Sequence, residues 1–148
     1  MKIDNIVREL KKYKFKCAVW WHDPEDIHSG EWVENGFITL DGEEINLDGD
    51  IMDYKPDDEY SSFVVCPYSK FKDEMGKQLK AGDILEHNDG YDIEYYVLIY
   101  SEDEDNFMFL DVGGFETPLT DFLNIKNELE GVKIVGNIFE NPELVEGI

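Results

Sequence analysis

Lys133-Ile134-Val135-Gly136-Asn137-Ile138-Phe139-Glu140-Asn141-Pro142-Glu143-Leu144 is the stretch from which the fold of this chain is read. The apolar run from Lys133 to Phe139 is a strand pattern, interrupted by one glycine. A glycine inside such a run marks a bulge or a close approach of another backbone. Pro142 has no N–H to give to a ladder, so the strand ends before it. The chain therefore closes on a strand, and that strand needs a partner upstream.

The partner is expected between Asp83 and Val112. Asp83–Glu86 opens one strand, Glu94–Ser101 is a second and Phe107–Val112 a third. Asn88-Asp89-Gly90 and the acidic run Glu102–Asn106 read as the turns between them. Just upstream lies Tyr68-Ser69-Lys70-Phe71-Lys72-Asp73-Glu74-Met75-Gly76-Lys77-Gln78-Leu79-Lys80-Ala81-Gly82-Asp83-Ile84-Leu85. Asp73–Gly76 has the form of a turn with glycine supplying a positive φ. Lys80–Leu85 is a second turn followed by strand entry, a pattern common at the start of small SH3-like barrels. After Val112, Thr117 as N-cap and Pro118 at the first helical position predict a short helix carrying Leu119, Phe122, Leu123 and Ile125, ending near Gly131.

Further upstream, Asp4 is placed to cap a short helix with Ile6, Val7, Leu10 and Tyr13 along one side. Phe15–Trp21 reads as a strand and His22–Gly30 as a polar loop. Asn35-Gly36 and Asp41-Gly42 suit the two-residue type I′ turn, giving successive hairpins through Trp32-Val33, Phe37–Leu40 and Glu43–Leu47. Asp48-Gly49-Asp50 closes that meander, and Ser61–Cys66 is one more strand. The fold class is mainly β (α+β). An antiparallel meander with a leading helix fills residues 1–67. A small SH3-like barrel fills residues 68–148, and there are two short helices in all. The two segments are read either as separate or as one continuous domain.

Tyr68, Lys72, Asp73, Gly76, Lys77, Gly82, Asp83 and Ile84 stand at the spacing of Y-T-G-L-K-D-K-N-G-K-E-I-Y-E-G-D-I-V. Gly136, Asn137, Ile138, Glu140, Asn141, Pro142, Glu143 and Leu144 stand at that of V-I-G-N-I-Y-E-N-P-E-L-L, with Phe139 for the tyrosine. Through these segments the chain resembles the YopX family, small proteins found in bacteriophages and prophages and without an established biochemical activity. Lys14–Trp20 loosely echoes the family's basic-aromatic opening strand. Lys70 stands where a glycine is usual, at the turn expected before Phe71, and Lys80-Ala81 replaces a Tyr-Glu pair. The resemblance implies a phage or prophage accessory protein. Its motifs are structural punctuation, so no catalytic residue is carried over.

With 148 residues the chain is long enough for one domain or two very small ones,. Nine Phe, eight Tyr and three Trp supply core material that a disordered acidic chain would lack,. No apolar run approaches the ~18 residues of a membrane span, and Met1–Asn5 does not open a signal peptide. The expected compartment is therefore the bacterial cytoplasm, with Cys17 and Cys66 as buried free thiols.

Thirteen basic and 35 acidic residues give a net charge of −22, unevenly spread. Residues 1–16 carry +4 and residues 70–80 carry +2, whereas 17–69 carry −13 and 81–148 carry −15. Such a field repels nucleic acid and anionic membranes and favours cationic partners.

Asp48, Asp50 and Asp53 lack the EF-hand spacing and read as a solvated acidic loop. His22 and His28, with Asp23 and Asp26 between them, fall short of a zinc ligand set, and His87 is distant. No nucleophile elbow, phosphate loop or dinucleotide fingerprint occurs. The expectation is a non-enzymatic protein without cofactor or metal. The candidate partner-binding residues are Trp20, Trp21 and Trp32, with Phe37 beside them, and the acidic turn Glu102, Asp103, Glu104 and Asp105. Adjacent Trp20 and Trp21 must face opposite sides of a sheet, one in the core and one outward, where exposed tryptophan is enriched at binding hot spots.

Two functions follow. One is a protein-binding module of the YopX type. The alternative is an acidic nucleic-acid mimic that blocks a basic host DNA-binding defence protein, such as a restriction enzyme or CRISPR effector, with carboxylates replacing phosphates. Neither binds nucleic acid or membrane directly.

Overall fold

The structure is a computed structural model. It describes residues 14–39, 44–47, 50–53, 63–101, 104, 106–111, 113–126 and 128–145. The strands are β1 (Lys14–Asp23), β2 (Asp26–Thr39), β3 (Glu44–Leu47), β4 (Asp50–Asp53), β5 (Phe63–Lys72), β6 (Gln78–Lys80), β7 (Asp83–Asn88), β8 (Ile93–Ser101), β9 (Asn106–Leu110), β10 (Glu116–Pro118) and β11 (Val132–Asn137). By its internal contacts the chain divides into two compact units, Met1–Pro67 and Tyr68–Ile148, and passes from one to the other within β5.

The first unit is an antiparallel sheet in the order β4-β3-β2-β1-β5. An antiparallel meander is present, and of its two hairpin signals Asp41-Gly42 lies outside the described residues. Cys17, Ala18, Val19 and Trp20 are all buried, so β1 is covered on both faces,. On one face Cys17 and Val19 pack with Ile45 and Leu47, backed by Val33, Ile38 and Val65. Each such aliphatic side chain stabilises the sheet by about 1.5–3 kcal/mol.

Asn35-Gly36 is not a hairpin turn. β2 runs through it without a break, and Gly36 faces Cys17 on one side and Leu47 on the other. A bulge lies there instead, where the β1–β2 register shifts between Cys17 and Val19. A Cβ on Gly36 would meet Leu47 Cδ2 at 3.0 Å and Cys17 Sγ at 3.1 Å. The glycine is set by close packing, the other reason for a glycine within a strand. The predicted polar loop 22–30 is likewise mostly strand, since β1 turns into β2 through Pro24 and Glu25 alone. After Asp48-Gly49 a further strand, β4, pairs with β3. The predicted helix over Asp4–Tyr13 lies outside the described residues.

In the second unit β5 pairs with β6, and a five-stranded antiparallel sheet runs in the order β10-β9-β8-β7-β11. The final strand pairs with β7, within the segment expected. The sheet does not close into a barrel. β10 is three residues long and ends on Pro118, which offers no donor,. The outer edge of β11 is occupied by the Asp73 turn, where the Glu74 N–H donates to the Val132 carbonyl at 2.9 Å and the Ile134 N–H donates to Asp73 Oδ2 at 3.0 Å. With both outer strands blocked, the sheet stays open.

Two short helices were expected, but among the described residues the helical segments are single 3₁₀ turns, at Leu119–Phe122 and Pro142–Val145. Thr117 does not cap a helix. Thr117 and Pro118 lie in β10, and Pro118 is extended at ψ 142°. The turn ends at Leu123 because Asn124 starts a small hairpin, its Oδ1 accepting the N–H groups of Lys126 at 2.9 Å and Glu128 at 3.0 Å. Asparagine competes with helical bonding in this way. Leu123 then bridges Leu129 across the hairpin. No turn precedes Phe71, for β5 continues to Lys72 and holds a register irregularity between Tyr68 and Lys72.

The core of this unit is Leu79, Leu85, Tyr96, Leu98, Phe109, Leu119, Leu129 and Val132. The Phe122 ring closes it, 4.7 Å from Phe109 and 5.3 Å from Tyr96. The tail behaves as its sequence indicates. Val135 is the extra residue of a bulge, since Ile134 faces Leu85 and Gly136 faces Ile84. Asn137 Oδ1 then accepts the N–H groups of Phe139 and Glu140, and Asn141 Oδ1 accepts that of Asn137. Gly136 lies under this turn with no room for a side chain.

Candidate partner-binding site

Among the described residues, β1 and β2 continue past their last partners in β5 and β3. The last β5 partner is at Trp21, and β3 pairs only with Gly36–Ile38, so among the described residues 22–30 have ladder partners only in each other. They form a two-stranded arm, and its conformation is fixed from within. A register irregularity between His22 and Asp23 takes the Ile27 carbonyl off the ladder. The Trp20 indole N–H donates to that oxygen at 2.6 Å. Trp20 is 1 % exposed, and the Trp32 ring opposite it lies 5.2 Å away. At the tip the Glu25 N–H donates to Asp23 Oδ1 at 2.9 Å and the His28 N–H to Asp26 Oδ1 at 3.0 Å. Gly30 packs against the Trp21 carbonyl so closely that no Cβ fits there.

The expected division of the adjacent tryptophans is observed. Trp20 is internal, and Trp21 on the other face is 43 % exposed. Ile27 is 45 % exposed, and Phe37 further along β2 is also open to solvent. Exposed Asp23, Glu25, Asp26 and Glu31 surround the arm. Exposed aromatic and aliphatic side chains among carboxylates are chemistry that suits a partner with an apolar pocket and a cationic rim. Among the described residues no three His, Cys, Asp or Glu side chains converge as metal ligands, and the His22 ring is bonded through Nδ1 to the Asp23 carbonyl at 2.7 Å.

Of the predicted residues, Trp20 and Trp32 come together and Trp21 turns away from them. Glu104 belongs to the second unit, where it is exposed and its N–H donates to Ser101 Oγ. Glu102, Asp103 and Asp105 lie outside the described residues.

The second unit carries a feature that was not evident from sequence. A cleft of about 990 Å³ lies between the Lys70–Gly76 segment and the loop from Leu123 to Gly131. Its walls come from distant parts of the chain, so no local motif marks it. The only available signal was the cluster of basic residues at 70–80.

Several groups have shifted acidities, each with a structural cause. Burial pushes the Cys17 thiol up to about 11, which holds it neutral and unreactive. Burial also raises Asp83, against the lowering effect of Lys80, whose Nζ is 3.0 Å from Asp83 Oδ1. Tyr96 is raised by burial and by its bond to the Glu94 carboxylate. Asp89 is lowered by the N–H groups of Asp92 and Tyr91. These shifts accompany packing and turn formation.

The family model described as YopX protein matches residues 22–146 of the chain. No curated protein matches the sequence. The crystal structure of protein EF1440 from Enterococcus faecalis is similar in fold, with a TM-score of 0.51 and 21% identity over 88% of this chain and 97% of that one.

Proposed function

The chain belongs to the YopX family, and from that premise we propose that it is a non-enzymatic protein-binding module, a phage or prophage accessory protein acting in the host bacterial cytoplasm. The observation that carries this reading is the arm at residues 21–31, with Trp21 and Ile27 exposed on a support held by the Trp20–Ile27 bond. An arm whose backbone is held by the Trp20–Ile27 bond has less freedom to lose on binding,. The expected partner is a protein with an apolar pocket edged by lysine or arginine.

Capture from host lysate at low and high salt tests the reading. The wild-type chain should hold its partner through the salt change. A Trp21→Ser/Ile27→Ser variant with an unchanged melting temperature should lose it. Equal capture by both proteins would refute the role of the arm.

A second reading is favoured by the net charge of −22. In it the protein is an acidic nucleic-acid mimic that occupies the phosphate-binding groove of a basic host defence protein. Capture would then fall steeply with salt, because exposed charge pairs are screened beyond about 8–10 Å at physiological ionic strength.

A further inference from the structure

We propose that one end of the second unit's five-stranded sheet is a separate binding site, for an arginine-bearing segment of a partner protein that stacks on Phe115 and pairs with Glu94 and Asp111. The site stands apart from the arm, which belongs to the other unit.

The sheet brings these groups together. Leu98 faces Phe109 and Tyr96 faces Leu85, and all four are core residues. Side chains alternate along a strand, so Glu94 and Asp111, each two residues on from Tyr96 and Phe109, lie on that same face. The Tyr96 hydroxyl donates to the Glu94 carboxylate. Asp111 and Asp89 are near enough to the same hydroxyl to help raise its pKa. Three carboxylates thus surround one phenol. Among the described residues none of the three pairs with a lysine or arginine.

Phe115 borders this group on a turn that is fixed from within. The Asp111 N–H donates to the Phe115 carbonyl at 3.0 Å. Asp111 Oδ1 accepts the N–H groups of Gly113 at 2.8 Å and of Phe115 at 3.0 Å. The Phe115 ring lies against Gly113, where a Cβ would come within 3.1 Å of Phe115 Cδ2. The ring is still 73 % exposed, so most of its surface is open to a ligand.

Charge selects that ligand. Residues 81–125 hold twelve Asp and Glu and no Lys or Arg. Nucleic acid and other polyanions are repelled by such a field. A guanidinium can lie flat on the exposed ring while its forked N–H groups reach the carboxylates, a geometry that an ammonium does not match.

Fluorescence anisotropy with a fluorescein-labelled peptide of alternating arginine and glycine tests the proposal, beside a lysine–glycine peptide of equal charge. Saturable binding is expected, tighter for the arginine peptide. Phe115→Ala leaves the net charge unchanged and should weaken it about two- to fivefold, the scale of one exposed cation–π contact. Phe37→Ala, which removes an exposed ring from the other unit, should leave it unchanged. Glu94→Gln should weaken it about two- to fivefold, as one exposed ion pair does. Glu140→Gln makes the same change in net charge beyond the opposite end of β11 and should have the smaller effect. Equal binding of the two peptides, no loss in Phe115→Ala, or equal loss in Glu94→Gln and Glu140→Gln would overturn the assignment.

Discussion

The Asp73 carboxylate accepts the backbone N–H of Ile134 at 3.0 Å across 61 residues of sequence. Its other oxygen accepts the N–H groups of Met75 and Lys77, so one buried side chain shapes a turn and caps the outer edge of the last strand. Of the family-like central segment, Asp73 thus holds the tail and Gly76 supplies the positive φ of the turn. Asp73→Ala is expected to lower unfolding free energy by about 2–4 kcal/mol, since it leaves a partly buried N–H without an acceptor and frees the turn. Urea denaturation with an unchanged m-value checks this. A loss below about 0.5 kcal/mol would mean that water replaces the carboxylate.

Gly136 and Asn141 form a second such pair. A Cβ at Gly136 would lie 2.5 Å from Asn141 Oδ1, the atom that accepts the Asn137 N–H. Gly136→Ala should cost about 1–3 kcal/mol as an overpacking change. The double variant with Asn141→Ala should cost less than the two single changes added together, because the obstruction is gone. Strict additivity in a double-mutant cycle would show that the two residues do not interact.

These elements show what was legible in the sequence. Gly136 was readable as a bulge because an apolar run with one glycine leaves few alternatives. Gly36 was misread as a turn because the Asn-Gly signal is local, while the packing of Cys17 and Leu47 that governs it is not. The helix expected after Thr117 failed for the opposite reason. Leu119, Phe122 and Leu123 have helical spacing, but the Asn124 side chain closes its own turn first. The alternation rule put Trp20 and Trp21 on opposite faces, and the packing decides that Trp20 is the internal one,. The arm itself was not evident, because the bond from Trp20 to Ile27 that holds it depends on a register irregularity that no local motif marks. The cleft was hidden by the sequence distance between its walls.

The two thiols should be inert in the native state. Ala18 faces Cys66 across β1 and β5, so Cys17, one residue away, points to the other face of the sheet and cannot reach Cys66,. Both are buried, and Cys17 is held protonated up to about pH 11. Iodoacetamide at pH 8 should modify neither in the folded protein and both after denaturation without reductant. Rapid native labelling of Cys17 would contradict the packing of β1.

Mild acidification should stabilise the protein. Self-repulsion from a net charge of −22 weakens as carboxylates begin to protonate,. Asp83 acts in the same direction. Burial raises its folded-state pKa above the ordinary aspartate value. The folded state therefore binds its proton more tightly, and stability falls as pH rises from the unfolded to the folded value. Asp83→Asn should flatten this part of the curve in urea midpoints measured from pH 4 to pH 7. A wild-type midpoint that rises steadily with pH through that window would reverse the sign.

Neutralising Glu102, Asp103, Glu104 and Asp105 together should leave the melting temperature unchanged or raise it, by relieving like-charge repulsion. A fall of several degrees would give that turn a structural role.

The proposed binding of a partner through the arm is tested by site-specific photo-crosslinking in host lysate, with benzoylphenylalanine in place of Ile27 and, separately, of Glu104. One discrete adduct is expected from position 27, persisting at high salt and abolished by Trp21→Ser, and none from position 104. An adduct from position 104 that vanishes at high salt, with none from position 27, would contradict it and establish the acidic-mimic reading in its place.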